Sequence, residues 1–166
     1  QSSLGSAART LRPKILVVLA QEDRARSRAT IAGATRALAS PLNWHLDILP
    51  ADQRALWEHK LQAGFPGWVL YGDTALALRL GHRTSVDFDF FSAEPLVPLD
   101  FRDEHALDGD ILQAEANTLS VLHRGVKLSF FGGLSLGVLH APDLLGHCPV
   151  ASLDDLGAGK LAALVN

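Results

Sequence analysis

The chain has 166 residues, enough for one domain built around a single sizeable core. With 48% hydrophobic and 20% charged residues it is neither disordered nor fibrous, and a net charge of -3 argues against a general nucleic-acid-coating protein. Its one cysteine, Cys148, excludes an intrachain disulfide, and its longest early apolar run, Ile15 to Ala20, is too short for a membrane span or a signal-peptide core, so a cytoplasmic protein without membrane contact is expected.

Residues 1–13 (QSSLGSAARTLRP) are small and polar and end in Pro, a flexible lead-in. Ile15 to Leu19 suits either a buried strand or the start of a helix. Gln21 to Ala39, rich in Ala and Arg and free of Pro, predicts a helix stopped before Ser40-Pro41. Its Arg24, Arg26, Arg28 and Arg36 read first as a solvated face and second as phosphate contacts. Beyond Pro50, Asp52 is placed to cap a helix that carries Leu56, Trp57 and Leu61 and ends at Gly64. Gly67 to Tyr71 predicts a buried strand, turned at Gly72-Asp73-Thr74 into a helix from Ala75 to Leu80 that Gly81 closes. Val86 to Phe91 alternates like a half-buried strand. A helical patch around Asp100 to Leu107 comes next, then strands Thr118–His123 and Val126–Phe131 joined at Arg124-Gly125, with a third strand over Ser135 to His140. Ser152 and Asp155 form a capping box for a last helix through Lys160. This order indicates an α+β (mixed α/β) domain.

The chemistry concentrates in Gly67 to Ser92, GWVLYGDTALALRLGHRTSVDFDFFS. On a strand, Asp87 and Asp89 share one face while Val86, Phe88 and Phe90 fill the other. Two carboxylates side by side repel unless a cation lies between them, which invites Mg²⁺ or Mn²⁺; the bland alternative is a solvent face that carries two Asp. Gly72 sits at a strand-to-helix turn, where free N–H groups and the helix dipole favour an anion, and Thr74 adds a hydroxyl. His82, Arg83 and Ser85, in the connection to the acidic strand, supply a cation and small donors for phosphates, or else form an exposed polar loop. Lys160 alone reads as a lysine snorkelling from an Ala/Leu helix. His140, Asp143, His147 and Cys148 match no zinc spacing, and Trp44, Trp57 and Trp68 read as packing anchors.

Gly72-x-Thr74 followed, thirteen residues on from Thr74 to Val86, by Asp87-Phe88-Asp89-Phe90 resembles the signature of polymerase-β-like nucleotidyltransferases. LYGDTALALRLGHRTSVDFDFFS more closely resembles the AbiEii/AbiGii-type toxin nucleotidyltransferases, and Ala151 to Leu164, with Asp154-Asp155 and Lys160-Leu161, resembles that family's lysine segment. The resemblance runs from about Leu49 to the C-terminus; it implies a nucleotidyltransferase-type mixed sheet flanked by helices over residues 46–166, with residues 1–45 as an N-terminal helical extension. It implies a bacterial, cytoplasmic toxin of a toxin–antitoxin system that binds a nucleoside triphosphate with Mg²⁺ (or Mn²⁺). The nucleotidyl group would go to a tRNA end or a protein hydroxyl, and a cognate antitoxin would be the partner. Asp87 and Asp89 would hold the metal, and Gly72, Asp73, Thr74, His82, Arg83 and Ser85 the nucleotide. Lys160 would hold the triphosphate and Asp89 or a third group would deprotonate the acceptor.

Three departures bear on activity. Asp73 stands where the family has a second Gly, and Ser129 where a third carboxylate is expected on the strand Val126–Phe131. The family's acidic motif past the lysine helix would fall beyond Asn166, so the domain reads as truncated at its C-terminus, and a start at Gln1 reads as a processed piece. Asp73 either takes the turn's own N–H donors, repels an incoming phosphate, or joins the metal ligands. The competing function is a catalytically impaired module of the same fold that binds a nucleotide or a partner protein.

Overall fold

The computed structural model describes residues 43–135 and 137–165, with side chains as far as Lys160. The expectations for Ile15 to Leu19 and for the arginine-bearing helix Gln21 to Ala39 lie outside the described residues. The described residues belong to one compact unit.

Pro50, not Asp52, caps helix α1 (Ala51–His59). The Pro50 carbonyl accepts the Arg54 N–H at 2.9 Å, which starts the helix two residues early and leaves Asp52 in its first turn. There a carboxylate still favours the positive end of the helix dipole. The helix stops at His59, and a 3-10 turn over Leu61–Ala63 carries the chain on to Gly64. Strand β1 (Val69–Tyr71) leads without a loop into helix α2 (Gly72–Leu80), which Gly81 closes in the left-handed conformation. Strand β2 (Asp87–Phe91) is followed by helix α3 (Pro98–Glu104), with Pro at its start where a missing N–H costs nothing. Next come β3 (Asp110–Glu115), β4 (Thr118–His123), β5 (Val126–Phe131), β6 (Asp143–Leu145), β7 (Cys148–Val150) and helix α4 (Leu153–Val165).

The strands form one seven-stranded mixed sheet in the order β3-β4-β5-β2-β1-β7-β6. β2 runs parallel to β5 and β1 parallel to β7, and the other neighbours are antiparallel. With four helices among the described residues, this is an α+β fold. Three parts of the sheet depart from expectation. β3 adds an edge strand where none was predicted, and none of the described residues in 135–140 forms a strand. The short pair β6 and β7 carries the chain back into the sheet instead.

One face of the central strands is packed. Phe88, Phe90, Leu128 and Phe130 are fully buried there. Phe90 and Phe130 stack at 5.2 Å, and Phe65 meets each edge-on at 5.1 Å. Trp57 lies 6.1 Å from Phe88 and Trp68 lies 5.5 Å from Phe130, so both act as packing anchors. Val86 does not join this face: it precedes the strand and is 66% exposed. The opposite face of the same strands is polar, and it carries the chemistry.

Candidate active site

Strand periodicity puts Asp87 and Asp89 on that polar face, both half-buried, while the alternating Phe88 and Phe90 are fully buried. The sheet register fixes their neighbours. Asp89 faces Tyr71 of β1 on one side and Ser129 of β5 on the other, and Asp87 faces Lys127. Lys127 Nζ lies 3.3 Å from Asp87 Oδ2. Burial raises the Asp89 carboxyl above the usual carboxylate range, and the charge of Asp87 adds to the effect; Lys127 and the Ser129 hydroxyl pull the other way. The pair is therefore only partly compensated.

Gly72 follows the strand that faces Asp89, and it must be glycine for two reasons. Its φ is 72°, and a Cβ there would lie 2.6 Å from Asp89 Oδ2. The turn thus brings the start of α2 against the acidic strand. Thr74 locks this arrangement, because its hydroxyl donates to the main-chain carbonyl of Asp87 and the residue is fully buried. That hydroxyl joins helix to strand.

Asp73 does not cap its own helix. Its Oδ1 lies 2.6 Å from Lys160 Nζ, and its Oδ2 lies 2.5 Å from Arg83 Nη2. Partial burial pushes the Asp73 carboxyl up, but Lys160 and Arg83 outweigh it and hold it below the usual range. His82 lies in the same neighbourhood. Burial, then Arg83 and Lys160, lower its pKa, and its Nδ1 is buried with no partner among the described residues. The charge of Asp73 also reaches Asp89, so turn, loop, lysine helix and acidic strand form one electrostatic unit. Ser85 is half-buried in the loop that enters β2. All nine residues singled out in the sequence therefore lie on the turn, helix start, loop, strand and C-terminal helix that meet at this face.

Two further residues build the site. Lys127, across the parallel β2–β5 pair, is visible only once the register is known. Arg79, 8% exposed near the end of α2, gives hydrogen bonds to the carbonyls of Ala151 at 2.6 Å and Val150 at 2.8 Å. It also pairs with Asp143 at 2.9 Å and lies 4.8 Å from the centre of the Trp44 ring. Those carbonyls immediately precede Ser152, which caps α4: the Asp155 N–H donates to Ser152 Oγ at 3.1 Å, and the Ser152 hydroxyl donates to Asp155 Oδ2 at 2.6 Å. Arg79 thus anchors the base of the helix that delivers Lys160. Leu156 of that helix is buried, while the side chains of Leu161 and Leu164 lie outside the described residues. Of the residues weighed as metal ligands, Asp143 and Cys148 lie on strands β6 and β7; Asp143 is taken by Arg79, His140 Nε2 lies 2.9 Å from Asp154, and Cys148 is buried with its thiol pushed up to about 12.

Mg²⁺ is commonly held by one or two carboxylates, with water and substrate phosphates completing its shell. Asp87 and Asp89 fit that donor set: they lie two residues apart on one face, and Asp89 carries an unfavourable charge that a cation would relieve. Ser129, directly across from Asp89, contributes a hydroxyl in place of a third carboxylate, and Ser120 lies 3.1 Å behind it.

Residues 54–126 match the family model described as "Nucleotidyl transferase AbiEii toxin, Type IV TA system". No curated protein and no solved structure matches the chain. No described helix is long and apolar enough to cross a membrane. The matched stretch runs from within α1 through the glycine turn, α2 and the acidic strand to the start of β5, and over it the chain is similar to the AbiEii-type nucleotidyltransferase toxins.

Proposed function

We propose that the chain transfers a nucleotidyl group from a nucleoside triphosphate to an RNA end, such as that of a tRNA, or to a protein hydroxyl. The observation that carries this reading is the meeting of Asp87 and Asp89 with the Gly72 turn on one sheet face. The acceptor oxygen bonds to the α-phosphorus, the α–β anhydride bond breaks, and pyrophosphate leaves. The acceptor proton passes to Asp89 or to a third group at the site. Asp87 and Asp89 would hold Mg²⁺ or Mn²⁺, which supplies charge neutralisation for the phosphates. The N–H groups of the α2 start orient the phosphate chain, Arg83 and Lys160 receive its terminal charge, and His82 and Ser85 border it. Thr74 acts on the nucleotide through Asp87 and the turn it fastens.

The reading also covers setting and partners. The transferase domain occupies residues 46–166, preceded in the sequence by an extension of residues 1–45, works in the bacterial cytoplasm and is restrained by a cognate antitoxin. The compact unit that includes the described residues supports the domain, and the match over residues 54–126 to a type IV toxin–antitoxin family model supports the antitoxin. One observation favours a second reading, an impaired nucleotide-binding module: Ser129 occupies the position opposite Asp89 where a third carboxylate was expected.

The deciding assay incubates the full chain with labelled nucleoside triphosphates, Mg²⁺ and total RNA or cell protein. Transfer of label that Asp87→Ala reduces at least ~100-fold is the expected result. Nucleotide-dependent stabilisation without label transfer would establish the impaired module instead.

A further inference from the structure

Lys160 and Arg83 come from different elements, the C-terminal helix and the loop before β2, yet both close on the two oxygens of one carboxylate. Asp73, Arg83 and Lys160 are each about half exposed at the side chain, so this is a solvent-accessible pairing that a ligand can enter and replace. It adjoins the first turn of α2, whose N–H groups are not used by the Asp73 side chain. We propose that Asp73 is a specificity-determining residue: a resident anion in the seat of a terminal phosphate, which an incoming ligand must displace from Lys160 and Arg83. This rests on the nucleotide reading of the site, and it adds a selection rule.

The rule follows from charge. A phosphodiester brings one negative charge, the same as the Asp73 carboxylate, so exchanging one for the other gains nothing at the two cations. A terminal phosphate brings between one and two charges near neutral pH, with three oxygens to share between a guanidinium and an ammonium. The displaced Asp73 must also tolerate that ligand beside it, which weakens every anion's binding. The site therefore admits polyphosphates with a free terminal group and rejects diesters such as an RNA backbone, at the cost of reduced affinity for both.

The test uses inorganic tripolyphosphate and dimethyl phosphate as probes, without metal, with calorimetry and thermal melting as readouts. The wild-type chain is expected to bind tripolyphosphate and to show no measurable binding of dimethyl phosphate. Asp73→Asn frees both cations while keeping size and shape, and it should tighten tripolyphosphate binding about tenfold or more and make diester binding measurable. Adding Lys160→Ala to Asp73→Asn should remove that gain. Unchanged tripolyphosphate affinity in a folded Asp73→Asn chain would overturn the proposal, as would a gain that persists without Lys160. These outcomes are independent of label transfer: a chain that transfers nothing can still show the Asp73-dependent gain, and an active transferase can lack it.

Discussion

Asp89 is held on the polar face of β2 with its carboxyl raised, first by burial and then by the charge of Asp87. An acid whose pKa is higher in the folded than in the unfolded chain favours folding in its neutral form. Its contribution is fully present below the unfolded value and is lost as pH rises through the folded one. At neutral pH the ionised Asp89 is therefore a destabilising group, retained for what it can bind. Asp89→Asn should raise the melting temperature at pH 7 while abolishing nucleotidyl transfer, and the gain in stability should shrink as the pH approaches the acid range where wild-type Asp89 is itself protonated. A melting temperature that falls at pH 7 would mean that Asp89 is stabilised in the folded chain by a partner stronger than Ser129. Asp155 works in the opposite sense. Burial pushes it up, but the N–H groups of Leu139 and His140 and the Ser152 hydroxyl outweigh this and hold it low, so it stabilises the fold above its unfolded pKa and ceases to as the pH falls.

At the scale of the element, Arg79 connects the helix that starts at the glycine turn to the helix that carries Lys160. Replacing it with Met keeps the apolar stem but leaves the Val150 and Ala151 carbonyls without their donor and Asp143 without its partner. Losing such buried, charge-assisted bonds costs about 2–4 kcal/mol, so Arg79→Met should lower the melting temperature markedly and weaken tripolyphosphate binding as well. Lys160→Ala, at a half-exposed pair, should weaken the same binding with little change in melting. Equal loss of stability in the two variants would show that Arg79 does not anchor α4. DFDFF was legible in the sequence because its two-residue period reflects one buried face, and the pair around Arg124-Gly125 because two apolar runs flank a tight turn. β3 was not, since all six of its residues are exposed and give no alternation, and β6 and β7 have only three residues each, with Pro149 inside the second. Among site residues, the acidic pair and the glycine turn followed from spacing, whereas Lys160 depended on the family resemblance. Lys127 required the β2–β5 register, which no local pattern encodes. Arg79 did leave a signal: a charge between Leu78 and Leu80, in the apolar part of its helix, needs buried partners.

At the scale of the whole molecule, the buried hydrophobic cluster runs from Leu49 to Leu156 and is built from α1, α2, α4 and the sheet, with Phe101 of α3 packed against it and the Phe65, Phe90 and Phe130 rings in mutual contact. Every member of the candidate site, from Gly72 to Lys160, is carried by elements of the same compact unit. A segment with its own core and its own polar network has what independent folding requires. Residues 43–166 expressed alone should therefore melt in one cooperative transition, as small single domains do, and should bind tripolyphosphate with the affinity of the full chain. Calorimetric and van't Hoff enthalpies that agree, together with an unchanged dissociation constant, would bear this out. If the fragment instead melts without cooperativity, the core needs residues before 43. If it folds but binds tripolyphosphate at least ~10-fold more weakly, about 1.4 kcal/mol, the preceding residues contribute directly to the anion seat around Lys160 and Arg83.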